Sequence, residues 1–209
     1  MLVKTFGSAI HGVGAITITV EVSVEKGINF TMVGLPDNAV KESQQRIESA
    51  LHQYGYHIPG KKVVINLAPA DIKKEGAAYD LTIAIGILAA SGEVRSESLD
   101  QYIIMGELSL DGSLRPIKGV LPIAIEARKR KYKGIILPKD NAREAAIVNN
   151  LEVYGVYNIK EVIDFFNGIA SLEPTCFDTR QEFANSLNQY EFDFSDVKGQ
   201  ERAKRAIEI

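Results

Sequence analysis

The chain has 209 residues, 45% hydrophobic and 24% charged, with a formal net charge of −3. That supports one well-cored domain of roughly 150–170 residues plus a tail, and it argues against a generally cationic nucleic-acid binder while leaving local basic patches open. A single cysteine, Cys176, excludes an internal disulfide framework and a cysteine-based zinc site.

The amino terminus, MLVKTFGSAIHGVGA, lacks the long apolar core of a signal peptide, and no run of about 18 apolar residues occurs. The expected location is the cytoplasm, with no membrane partner. Residues 2–10 (LVKTFGSAI) read as a strand, and His11-Gly12-Val13-Gly14 as a turn rich in residues that accept positive φ. Residues 15–24 (AITITVEVSV) alternate apolar side chains with Thr, Glu and Ser, the period-two pattern of a sheet with one wet face. Glu25-Lys26-Gly27 turns the chain and residues 28–33 (INFTMV) return it. Three strands on short links predict an antiparallel meander.

Asp37 is placed to cap a helix running to about Tyr54, with Ala39, Val40, Ile47, Ala50 and Leu51 as its apolar stripe. The other face, Lys41, Glu42, Gln44, Gln45, Arg46 and Glu48, reads as solvated surface. Gly55 stops this helix, and Pro59-Gly60 turns into a strand over residues 61–67. A polar loop with Asp71, Lys73, Lys74 and Glu75 follows, and Gly76 releases the backbone into residues 77–90, which are apolar almost all round. A helix without a polar face must be covered by protein on most sides, since each apolar side chain left wet forfeits about 1.5–3 kcal/mol. Residues 77–90 are therefore expected as the central buried helix. Its N-terminus, where unpaired N–H groups and the positive dipole end gather, is the natural seat for chemistry or anion contact.

Beyond Gly92, residues 102–105 and 107–110 are strand-like and split by Gly106, and Asp111-Gly112 is a hairpin turn before residues 113–117. A helix over 119–131 turns Val120, Leu121, Ile123, Ala124 and Ala127 inward. A strand at 135–137, a helix at 141–148, a strand at 152–156 and a helix at 159–167, with Val162, Ile163 and Phe166 inside, complete the alternation. This half predicts a partly parallel sheet covered by helices. From Glu173 the composition turns polar with isolated aromatics, which predicts a linker over 173–192 after a domain spanning 1–172. Residues 193–209 end in RAKRAIEI, a helical stripe that stops as it begins, so the chain reads as cut from something longer.

Four segments, VGLPDNAVKES (33–43), NLAPADIKKEGAAYDLTIAIGILAASG (66–92), MGELSLDGSLRPIKGVLP (105–122) and ILPKDNAREAAIV (136–148), resemble the amino-terminal domain of the ComM/YifB proteins. These are AAA+ ATPases related to the magnesium-chelatase ATPase subunit. The terminal FSDVKGQERAKRAIEI resembles the opening of their ATPase module. The resemblance implies an α/β fold like the proteolytic domain of Lon and the second domain of ribosomal protein S5, a mixed sheet backed by helices. It also implies a front domain of a hexameric motor that acts on DNA in branch migration and natural transformation, with ATP and Mg2+ held by its own absent AAA+ module. No cofactor is expected in the chain itself, and the role expected is ring assembly or substrate guidance. Val197, Gly199 and Gln200 would then flank the adenine pocket of that module.

A Lon-like fold makes a Ser–Lys peptidase the sharpest alternative, since that chemistry needs a serine hydroxyl beside an amine whose pKa is lowered by burial. The Lon pattern Lys-Asp-Gly-Pro-Ser-Ala-Gly lies over Lys74-Glu75-Gly76-Ala77-Ala78-Tyr79-Asp80, which puts Ala78 at the nucleophile position. The general-base position falls near Leu121, with Lys118 one helical turn away. The expectation is the peptidase scaffold without its dyad, unless another hydroxyl such as Thr82 or Ser91 faces Lys118. Metal insertion like that of magnesium chelatase is a further alternative.

Two clusters could meet an anion. The loop of Asp71, Lys73, Lys74, Glu75 and Asp80 either contacts a phosphate at a helix N-terminus or forms a salt-bridged cap, and its mixed charges favour the cap. The run Arg128-Lys129-Arg130-Lys131-Tyr132-Lys133 could hold a nucleic-acid backbone, with Tyr132 for stacking. The competing reading is a helix C-terminus whose cations complement the dipole. No GxxxxGK[ST] occurs, so ATP hydrolysis by this chain alone is not expected. His11, His52 and His57 lack metal-ligand spacing, Cys176 has no histidine partner, and Glu107 is a lone acid; all read as structural or surface residues.

Overall fold

The computed structural model describes residues 1–176 and 196–208. The chain divides into two units, Met1–Cys176 and Phe177–Ile209. The first begins with two long strands, β1 (Leu2–His11) and β2 (Gly14–Glu25), paired antiparallel from Leu2↔Ser23 to His11↔Gly14. The alternation in β2 puts Ile18, Val20, Val22 and Val24 in the core, with Thr19, Glu21 and Ser23 between them half-buried.

β3 (Asn29–Val33) does not complete the expected meander. The chain continues through α1 (Asn38–Lys41) and α2 (Ser43–Gln53) into β4 (Lys62–Ala68), which takes the place beside β2, antiparallel from Thr19↔Ala68 to Glu25↔Lys62. β3 lies outside β4 and parallel to it. A helical crossover returns a strand parallel to its predecessor. Apolar content then decides which strand goes inside: Val63, Ile65 and Leu67 of β4 are fully buried, whereas no residue of β3 is. At the end of β3 the link runs hard against β4. A Cβ on Gly34, at φ +98°, would collide with the Leu67 backbone, so only glycine fits.

The single helix expected over 37–54 is two, meeting at Glu42, and Asp37 does cap the first through Val40 N–H to Oδ1 at 2.8 Å. The central helix, α3, is Asp80–Ser91 rather than 77–90. Residues 77–79 are drawn off toward the link after β5 (Tyr102–Ile104): Gly106 N–H donates to Ala78 O at 2.9 Å, and Leu81 N–H donates to Gly106 O at 3.1 Å. Every residue from Asp80 to Ala90 is buried, and Gly92 ends the helix at φ +90°. α3 packs on β1 and β2, with Thr5 Oγ1 donating to Thr82 O at 3.0 Å.

β6 (Glu107–Leu108) and β7 (Leu114–Arg115) form the expected small hairpin around Asp111-Gly112. α4 (Val120–Lys129) buries Val120, Ile123, Ala124 and Ala127 but leaves Leu121 only half-buried. β8 (Gly134–Pro138), α5 (Ala142–Ala146), β9 (Glu152–Val156) and α6 (Ile159–Asn167) then extend the sheet in parallel. The helix expected over 141–148 is a 3-10 turn, Lys139–Asn141, followed by the shorter α5. The seven-stranded order is β3-β4-β2-β1-β5-β8-β9, a mixed and mostly parallel sheet backed by helices. In the second unit, α7 (Glu201–Glu208) is described; most of the expected linker, 173–192, lies outside the described residues. No helix among the described residues is long and apolar enough to cross a membrane.

Candidate functional site

The loop before α3 is clamped to the link after β3. Lys74 N–H donates to Leu35 O at 3.1 Å, Asp37 N–H donates to Lys74 O at 3.0 Å, and Gly76 N–H donates to Asp37 Oδ2 at 3.1 Å. The Lys74 side chain runs inward with 0% of the residue exposed, its ammonium donating to Gly34 O at 2.9 Å and to Pro69 O. Burial lowers its pKa from the ordinary lysine value, and Asp71 opposes that shift. Lys74 therefore cannot be the phosphate ligand that its sequence position suggests, because its ammonium is committed to two backbone carbonyls. Lys73 is exposed but paired with Glu75 at 2.7 Å. Of the salt-bridged cap expected here, the structure shows one exposed ion pair, Lys73–Glu75, and no side-chain hydrogen bond capping α3 among the described residues.

Asp80, fully buried at the start of α3, accepts from Arg46 Nε at 2.6 Å and Nη2 at 2.9 Å, and from Leu108 N–H at 3.2 Å. Burial raises the Asp80 carboxyl from its ordinary value while Arg46 pulls it down, and the Asp80 partnership raises the guanidinium. The sequence reading of Arg46 as solvated surface is thus corrected. A charged residue on the outer face of an amphipathic helix looks solvated until a buried carboxylate from another element is placed beside it.

Above the start of α3 lies a cleft of about 450 Å³. Residues 8–10 of β1 form one wall, 76–79 the floor, and Met105, Glu107 and 116–118 the far side. Ala78 and Lys118 both line it, so the two segments that the peptidase pattern pairs do meet. Leu121 does not reach it; its N–H instead donates to Glu144 Oε1 at 3.1 Å. The hydroxyls that could have replaced a serine point elsewhere. Thr82 donates to Ile104 O in the core, and Ser91 bonds Ile87 O and Leu88 O at the far end of α3. Ser8 lines the cleft but is nearly buried and donates to Ile16 O at 3.1 Å. Tyr79 also lines it, 3% exposed, with burial raising its phenol well above the ordinary tyrosine value. Lys118 is exposed, whereas an amine serving as a base needs burial. None of the hydroxyls of Ser8, Thr82 and Ser91 is hydrogen-bonded to Lys118 among the described residues.

The basic run lies at the end of α4. Arg130 is paired with Glu126 at 2.7 Å, and the Lys133 ammonium sits 5.8 Å from the centre of the Tyr102 ring. Tyr132 packs on Phe6 with ring centroids 5.8 Å apart, so the stacking role that its place in the run suggests is corrected: the ring is already occupied. Arg128, Lys129 and Lys131 are exposed and form no ion pair among the described residues. His52 and His57 are exposed and stack at 5.4 Å, and no group of three or more His, Cys, Asp or Glu side chains among the described residues could hold a metal. Glu107 faces Arg115 at 3.9 Å, and Cys176 is exposed. Val197, Gly199 and Gln200 lead into α7, with Gly199 and Gln200 at positive φ and Lys204 N–H donating to Gln200 O at 3.0 Å.

Residues 20–141, which include the second half of β2, all of α3 and Lys118, match the family described as subunit ChlI of Mg-chelatase. The competence protein ComM of Haemophilus influenzae is 39% identical over 209 residues, covering 100% of this chain and 41% of that protein. YifB of Escherichia coli is 44% identical over 200 residues, 95% of this chain and 38% of its own length. A Lon protease of Protochlamydia amoebophila is 30% identical over 148 residues, 66% of this chain and 17% of that protein. The chain thus spans about two-fifths of the length of the ComM and YifB relatives.

Proposed function

The chain belongs to the family of subunit ChlI of Mg-chelatase, alongside the ComM and YifB proteins, and from that premise we propose that it is the non-hydrolysing front module of a longer AAA+ ATPase acting on DNA. The observation that carries the first half is Ala78: a methyl group stands on the floor of the cleft where a Lon-like peptidase would need its nucleophile. The absence of a GxxxxGK[ST] motif puts ATP and Mg2+ on the remainder of the longer protein, not on these residues. The module then serves ring assembly, as part of a homo-hexamer, or guides DNA toward the pore. The name of the Haemophilus relative, a competence protein, supports a role in competence; branch migration of transforming DNA, in the cytoplasm, is the form of that role we propose.

The DNA half rests on the exposed cations at the end of α4. Arg128, Lys129 and Lys131 offer sequence-independent contacts to a phosphate backbone, with Arg130 and Lys133 as engaged neighbours; Lys73, in the loop before α3, is a separate and engaged cation. Fluorescence anisotropy with duplex and forked DNA across a salt series tests it. Salt-sensitive binding that weakens when residues 128–133 are neutralised supports the reading; unchanged binding removes the basic run. Hydrolysis of an unfolded protein, or labelling by a serine-reactive probe, would reinstate the peptidase. Saturable binding of a tetrapyrrole would point instead to metal insertion.

A further inference from the structure

We propose that the cleft above α3 is a receptor for the carboxyl terminus of a polypeptide, which it binds without cutting. Three successive residues, Ala77, Ala78 and Tyr79, line the cleft, and their backbone N–H groups donate to no acceptor among the described residues. They stand at the N-terminal end of a twelve-residue helix, where partial positive charge collects. Tyr79 adds an independent polar group at the same place. The residue is only 3% exposed, yet its hydroxyl makes no hydrogen bond within the described residues. Nor is that hydroxyl among the sealed polar atoms without a partner, which are those of Thr17, Ser43 and Thr175. Tyr79 lines the cleft, with burial and the Asp37 and Glu75 carboxylates acting on its phenol.

Charge in the cleft selects a monoanion. Its titratable side chains are Lys73, Glu75, Tyr79, Glu107 and Lys118. Glu75 is matched by Lys73 at 2.7 Å and Glu107 faces Arg115 at 3.9 Å, so the Lys118 ammonium is the unmatched charge. The two carboxylates oppose a phosphodiester chain but leave room for one carboxylate. The walls select a peptide. Ile10, Met105, Ile117 and Ile123 supply apolar surface, and about 450 Å³ accommodates the last two or three residues of a chain. β1 pairs with β5 only at Phe6↔Ile103, so residues 8–11 have no strand on that side. Ser8 N–H turns there, to Met105 Sδ at 3.2 Å, and strand alternation brings the main-chain groups of Ile10 to the same edge. An extended segment can add to that edge while its terminal carboxylate meets the N–H groups.

Peptide capture at this cleft is independent of DNA binding by the basic run. The test is 1H–15N correlation spectroscopy of the 209-residue chain against N-acetylated tetrapeptides randomised in sequence, supplied as free acids or as amides. Free acids should shift the Ile10, Ala77, Ala78 and Tyr79 amides saturably, with amides at least roughly tenfold weaker, the loss expected for one charge-assisted hydrogen bond. Lys118→Ala should weaken the acid roughly tenfold and Tyr79→Phe several-fold, both with unchanged thermal melting. Equal response to acid and amide, no saturable shift at about 10 mM peptide, wild-type binding by both variants, or the same shifts with sodium acetate alone at equal concentration would each overturn it.

Discussion

At the scale of single residues, two buried ions define what the site can and cannot do. Asp80 is fully buried and held by Arg46, so removing the guanidinium strands a carboxylate in the core. Arg46→Ala should cost about 3–5 kcal/mol in urea unfolding. The penalty should have a pH signature. Without Arg46, burial is the largest influence left on Asp80, with Glu107 adding to it and the Leu108 N–H opposing it, and its folded-state pKa lies above the unfolded value, so protons bind the folded state first as pH falls. The variant should therefore regain stability relative to wild type as pH falls through that raised pKa; a gap that stays constant from neutral to acid pH would refute the buried-charge account. Lys74 shifts the other way. Its folded pKa lies below the ordinary value, so above that lowered pKa the unfolded chain holds the extra proton and its contribution to stability rises with pH up to the unfolded pKa. Lys74→Met leaves the Gly34 and Pro69 carbonyls without their donor, at a cost of about 1–3 kcal/mol. The difference from wild type should widen in alkali. Neither ion pattern is legible in a linear sequence, since both partners of each come from different segments.

At the scale of elements, α3 shows how far periodicity carries. A helix apolar on all sides had to be central, and it is. Its close approach to the sheet, however, depends on Gly86: a Cβ there would lie 2.8 Å from Val22 Cγ2 and 3.2 Å from Thr5 Oγ1. On an exposed helix, replacing glycine with alanine gains about 1 kcal/mol. Here overpacking against a β-branched side chain in a fixed sheet should prevail, so that Gly86→Ala destabilises by about 1–3 kcal/mol. A rise in melting temperature would show that the helix can move away. The helix starts later than its composition predicts for a related reason: residues 77–79 have helical composition, but hydrogen bonds with Gly106 and the cleft take them out of the helix. The strand order departs from the expected meander likewise. Short links predict neighbours in the sheet, whereas β4 with its buried Val63, Ile65 and Leu67 displaces β3 from beside β2.

At the scale of the whole molecule, the cleft and the basic run are separable features with separable outcomes. Neutralising Arg128, Lys129 and Lys131 should reduce the slope of log affinity against log salt by about 0.9 for each duplex phosphate that is no longer neutralised. The change measured by anisotropy reports how many of the three touch the backbone. The same variant should bind carboxyl-terminal peptides as wild type does, since none of these residues lines the cleft. On the proposed reading, a cleft with Ala78 at its floor serves binding rather than cleavage.

The sequence alone determined the family resemblance, the α/β class, the buried central helix and the alanine at position 78. Each of these is carried by contiguous motifs, by local period or by one residue's chemistry. The tertiary structure alone decided which cations are available, which strand lies beside which, and that Tyr79, Lys118 and the Ala77 and Ala78 amides share one cleft. Those facts depend on distances between segments far apart in the chain, set by which surfaces exclude water together, and no local pattern encodes them.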